Sequence, residues 1–252
     1  MPDALTALRA SVDRLADLVR PLGDSEVTKH AYPSAWTIAD VLSHVGSSGV
    51  IWQRGLEDSL ADRETPDGFA AEVWGEWDPK SPPAKVADAL AVDDAFTSRL
   101  ETLAPAERSR VSLAMGPMTF AWDEVIATRL NEHLLHEWDV AVALDPAAVL
   151  PPDGVAHVID NLDLIARYTA QPVAPERTVT VATTDPERSF AITVATQTVE
   201  FSAGNRSDST LVMPAEAFIR LVYGRLDPEH TPSTITGDTE TLEQLRQVFP
   251  GP

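Results

Sequence analysis

The chain changes its hydrophobic period part-way along, and no other feature restricts its fold as much. Up to about residue 144, apolar residues recur at helical spacing, as in Leu5, Leu8, Val12, Leu15, Leu18, Val19 and Leu22. Beyond about residue 177 they alternate, around Val179 and Val181, then Phe190, Ile192 and Val194, then Val199 and Phe201. A helix buries a stripe of period 3.6 and a strand buries a face of period 2, so the two halves build different layers. Between them, "DPAAVLPPDG" at 145–154 has the Pro and Gly density of a boundary. Helices first and strands afterwards predict an α+β protein in two domains, residues 1–150 and 151–252. At 252 residues the chain is long enough for two cores of ordinary size.

Four helices are expected in the first half. The first ends at the punctuation of Pro21–Gly23. The second opens in "SAWTIADVLSHVGSSGVIWQRGLEDSL", where Thr37 and Asp40 have the spacing of a capping box, Asp replacing the usual Glu or Gln. Residues 61–83, rich in Pro, Gly, Asp and Trp, read as a long connection. The third helix runs from about Pro83 to Leu103 and the fourth from about Thr119 to Leu144. Four helices with one long crossover fit a four-helix bundle. In the second half a helix from Val155 to Tyr168 leads into the strands. Then come "STLVM", a helix from Pro214 to about Tyr223, a short strand "STITG" and a last helix from about Asp238 to Val248.

Charge and cysteine usage narrow the function. The 39 acidic residues against 19 basic ones give a net charge of −20, which argues against nucleic acid or an anionic membrane surface as partner. No apolar run approaches the roughly 20 residues that span a bilayer, so a cytoplasmic protein is expected. Cysteine is absent. Disulfides, thiolate zinc sites and cysteine nucleophiles are therefore excluded, and any metal is held by His, Asp or Glu.

The stretch "RLNEHLLHEWD" at 129–139 reads either as a metal half-site on a helix or as an ordinary amphipathic helix rich in Glu and His. Residues four apart share a helix face, so Glu132 with His136, or His133 with Glu137, can grip one ion, and spacing does not choose between them. A third ligand is available on the second helix. His44 lies among small and apolar residues, and ligands in bundles come from facing helices. His44, Glu132 and His136 together make two imidazoles and one carboxylate, a set that leaves a coordination position open.

Here the sequence resembles a known family. "AWTIADVLSHVGSS" resembles the W-(S/T)-x-x-(D/E)-(V/L)-L-x-H stretch of DinB-like metal-binding bundles. "RLNEHLLHEWDVAVAL" resembles the R-x-x-E-x-x-x-H-x-x-D stretch of the mycothiol-dependent maleylpyruvate isomerase branch. "STLVMPAEAFIRLVYGRLDPEH" and "ITGDTETLEQLRQVFPG" look like that branch's sterol-carrier-like C-terminal domain. The resemblance implies a DinB-like bundle over 1–150 and a sterol-carrier-like α+β domain over 151–252. It places zinc, or another divalent metal, on His44, Glu132 and His136, and matches Arg225 to a catalytic arginine, with Arg220 as rival. Asp139 is a candidate to orient a ligand imidazole, and Arg129 to bind an anionic substrate or neutralise Glu132. Trp36, Trp122 and Trp138 read as packing residues, and His30, His157 and His230 as surface.

The implied cosubstrate is mycothiol, a low-molecular-weight thiol, which fits a chain without cysteine. In the isomerase reaction the thiolate adds to a cis double bond of an unsaturated acid, the resulting single bond rotates, and elimination returns thiol and trans isomer. Attack on an electrophile without elimination gives an S-transferase instead. A non-catalytic protein that encloses a small ligand and a metal-dependent hydrolase are the competing readings. A two-domain chain that forms its own cleft can work as a monomer.

Overall fold

A computed structural model describes residues 3–32, 35–116, 118–173, 176–204 and 209–251. The chain divides into two compact units, Met1–Ala148 and Val149–Pro252. The expected fold class is observed: a helical bundle comes first and a small α+β unit follows.

In the first unit the helices are α1 (Ala4–Val19), α2 (Asp24–Val27), α3 (Ile38–Leu60), α4 (Phe69–Trp77), α5 (Pro82–Thr102), α6 (Pro105–Arg108) and α7 (Trp122–Leu144). A hairpin of β1 (Ser112–Met115) and β2 (Met118–Ala121) precedes α7. The long helices form a ring in which α1 and α3 each pack against both α5 and α7. Each start has a local cause. Asp3 accepts from Thr6 N at 2.8 Å to cap α1. At α3 the Thr37 hydroxyl accepts from Asp40 N at 3.2 Å, and Asp40 accepts from Thr37 N at 3.1 Å. That reciprocal pair satisfies two amides that the helix itself cannot. The core gathers Leu15, Val19, Ile38, Val41, Leu42, Val45, Trp77, Ala89 and Val140. Gly46 lets α3 and α5 close: a Cβ there would stand 2.3 Å from the Trp77 ring and 2.8 Å from Ala89 Cα.

Two expectations for this unit need correction. Residues 61–83 include α4, whose Val73 and Trp77, four apart, turn one buried face inward. The fourth helix starts at Trp122, because residues from Met118 to Ala121 pair with β1 around Gly116, at φ 58°. Four-residue strands are too short to show a period.

The second unit holds α8 (Pro152–Val158), α9 (Leu162–Thr169), β3 (Arg177–Thr184), β4 (Arg188–Val194), β5 (Val199–Ala203), β6 (Ser209–Pro214), α10 (Ala215–Val222) and α11 (Thr239–Val248). The strand order is β5-β4-β3-β6, with β3 and β6 parallel and the other pairs antiparallel. Val179, Val181, Ile192, Leu211 and Met213 are buried, and Phe218 of α10 meets Phe190 with ring centroids 5.0 Å apart. The helix expected over 155–168 is broken by a 3-10 turn at Ile159–Asn161. "STITG" contributes only one bridge, Thr236 to Val212. Among the described residues no helix is long and apolar enough to cross a membrane.

Candidate metal centre

Successive residues on a helix are rotated by about 100°, so the two Glu/His pairs of α7 point to different neighbours. His133 and Glu137 turn toward α1 and α5. His133 Nδ1 lies 2.8 Å from Ser11 Oγ, and its Nε2 lies 3.0 Å from Asp93 Oδ2. Glu137 accepts from Ser11 Oγ at 2.5 Å and from Arg14 Nε at 2.7 Å. Ser11, His133 and Asp93 connect in the order of a nucleophilic triad. All three are sealed from solvent, and the Ser11 proton goes to Glu137. The cluster therefore ties α1, α5 and α7 together, and a buried polar network of this kind favours one arrangement of helices.

Glu132 and His136 turn toward α3, where they meet His44. Glu132 Oε2 lies 3.5 Å from His44 Nε2 and 3.7 Å from His136 Nε2. The two imidazole rings are 4.8 Å apart, centroid to centroid. One ligand atom from each residue falls within 4.8 Å of the others, and no second group of three such side chains occurs among the described residues. An ion bound tetrahedrally at about 2.0–2.1 Å holds its ligand atoms roughly 3.3 Å apart. The two Glu132 distances lie within a few tenths of an ångström of that spacing, and all three ligand atoms lie within 4.8 Å of one another, so a modest closure would let the residues hold a metal. His44, Val45 and Ser48 from α3 line one narrow cleft with Arg129, Glu132, His133 and His136 from α7.

Burial and charge prepare the donors. The His44 and Glu132 side chains keep 36% and 40% of their surface, whereas that of His136 keeps 9%. Burial pushes the Glu132 carboxyl up, but hydrogen bonds and charge from His136 and His44 outweigh it and hold it well below the usual carboxylate range. For His136, burial pushes the imidazole down, and Asp139 and Glu132 overcome this and raise it. His136 Nδ1 is 2.9 Å from Asp139 Oδ2. A carboxylate only accepts, so Nδ1 carries the hydrogen and Nε2 faces Glu132 and His44.

Trp36, read from the sequence as a packing residue, packs against the candidate ligands themselves. Its ring stacks on His136 at 6.3 Å and 22° and tilts against His44 at 5.4 Å, forming a wall of the centre. Ala31 N bonds Trp36 O at 2.9 Å and Tyr32 N bonds Asp139 O at 3.2 Å, so the loop before α3 is pinned to α7. Its position one residue before the Thr37 cap was the available signal. Asp93, in a helix with no distinguishing motif, gave none. Trp138 is buried packing, as expected, and donates to Ala148 O at 2.9 Å.

The two arginines of the C-terminal motif lie in the second unit. Arg225 is buried, with Nη1 donating to Tyr223 O at 3.0 Å. Arg220 is buried against Glu216, at 2.8 and 3.0 Å, and donates to His230 O at 2.9 Å. A cavity of about 260 Å³ beside α11 in that unit brings together no group of potential metal ligands among the described residues.

Comparisons with known proteins give the family and the fold. The sequence profile of the mycothiol maleylpyruvate isomerase N-terminal domain matches residues 8–141, and that of the family's C-terminal domain matches residues 149–244. The crystal structure of a mycothiol-dependent maleylpyruvate isomerase superposes with a TM-score of 0.67 at 14% identity, covering 95% of this chain and 94% of the other. A crystal structure of that isomerase with one histidine replaced by alanine gives the same values. At this identity the likeness concerns the fold. No curated protein matches the chain in sequence.

Proposed function

Since this chain belongs to the mycothiol maleylpyruvate isomerase family, we propose that it is a zinc-dependent enzyme that uses mycothiol on a small electrophilic or unsaturated acid. The observation that supports this is the convergence of His44, Glu132 and His136 in one cleft of a chain without cysteine. Zinc held there lowers the proton affinity of a thiol and so supplies a thiolate near neutral pH.

The chain's own residues do the rest. Asp139 fixes the tautomer of His136 and keeps its Nε2 lone pair directed inward. Glu132 stays ionised beside two imidazoles. A divalent ion held by this one carboxylate and two imidazoles would keep a net positive charge, which would favour an anionic ligand beside it. Trp36 and Val45 give the cleft apolar walls that limit water. With no cysteine, the chain itself offers no competing thiolate. Whether the product is an isomerised acid or a thiol conjugate depends on the substrate's capacity to eliminate. Family membership is also what supports Arg225 as a catalytic cation, for which Arg225→Lys is the test.

Metal analysis of protein purified without chelators decides the reading. One divalent ion per chain is expected, and its loss in His44→Ala and Glu132→Gln. An ion-free wild type, or unchanged content in both variants, removes the centre.

A further inference from the structure

Arg129 lies one turn before Glu132 on α7 and lines the same cleft. Its side chain is 3% exposed, Nη2 donates to Asp93 Oδ1 at 3.1 Å, and Cζ stands 5.7 Å from the Phe96 ring centroid. Asp93 gives its other oxygen to His133, so it does not meet the guanidinium fork with both. Nε of Arg129 is buried and has no acceptor among the described residues. A buried donor without a partner is rare, and in a cleft the missing acceptor is a ligand's to supply.

We propose that Arg129 is the anion anchor of the cleft, taking the carboxylate of a small acid whose reacting carbon lies over His44, Glu132 and His136. Guanidinium suits this task, since its planar N–H array matches a carboxylate and keeps its charge at any working pH. Asp93 and the Phe96 ring hold the plane before the acid arrives, so little side-chain freedom is lost on binding. Residues three apart on a helix have Cβ atoms about 5–6 Å apart. Arg129 and Glu132 therefore line the cleft as near neighbours on α7. Arg220 is unsuited, its guanidinium being engaged by Glu216 and His230. The placing of the reacting carbon rests on the metal reading above, whereas the anchor is tested by binding alone.

Maleate and its neutral counterpart dimethyl maleate serve as probes, titrated calorimetrically into the full-length protein, with zinc content measured on each sample. Arg129→Gln would leave Asp93 buried with one partner fewer, so the variants are Arg129→Lys, which keeps the charge, and the paired Arg129→Gln/Asp93→Asn, which removes both. Circular dichroism checks that each is folded. Wild type should prefer maleate, and both variants should weaken maleate roughly tenfold or more while leaving the diester and the zinc content unchanged. Equal weakening of acid and ester, undiminished maleate binding in both variants, or a selective loss in Arg225→Lys instead would overturn the inference. Protein found without zinc removes the metal centre, and the maleate comparison is still read on it.

Discussion

Asp139 determines which nitrogen His136 offers, and so it acts on the centre without touching an ion. Asp139→Ala is expected to weaken metal binding by about 10–100-fold with the three ligands still in place. Competition against a chromophoric chelator measures this, and an unchanged affinity would show that the bond merely packs. His133 has the opposite profile. It is fully buried between Ser11 and Asp93, so His133→Ala should cost on the order of 3 kcal/mol in chemical denaturation yet keep the metal. The spacing of "RLNEHLLHEWD" left both Glu/His pairs open. Nothing in sequence distance records which helix stands on which side, and that is what separates the pairs here.

Helix α3 shows how far local chemistry reaches. Thr37 and Asp40 were legible as a cap because a capping box is closed within four residues. Thr37→Ala should cost about 1 kcal/mol. Burial raises the Asp40 carboxyl, but Lys85 at 2.8 Å and the Thr37 bonds lower it overall. Its folded-state value therefore lies below the unfolded one. The stabilisation is complete above the unfolded value of about 3.9 and is lost as the pH falls through the lower folded value. The gap in urea midpoint between wild type and Asp40→Asn should accordingly be present at neutral pH and vanish in acid. Gly46→Ala should cost roughly 1–3 kcal/mol, since Trp77 can move but the α5 backbone at Ala89 cannot easily follow. What stayed illegible, the β1–β2 hairpin and α4, consists of pieces too short to carry a period, formed where tertiary contacts complete them.

For the molecule as a whole, the change of period gave the order of the two architectures, because helix and sheet patterns do not mimic each other over long runs. It could not give the strand order β5-β4-β3-β6, since a parallel partner for β3 is chosen by non-local packing. Nor does any pattern mark the excess of 39 acidic over 19 basic residues as a stress on the fold. Self-repulsion at −20 predicts that sodium chloride raises the melting temperature, by roughly 2–4 °C for each kcal/mol screened. A flat melting curve series would mean that local pairs already balance the charge. The last consequence comes from the contrast between a half-open centre and the sealed cluster beside it. His44 and Glu132 keep more than a third of their side-chain surface, so an ion on them can be exchanged through solvent while every helix stays folded. Stripping by a chelator should then proceed with a rate that rises with chelator concentration, instead of levelling off at the rate of global unfolding.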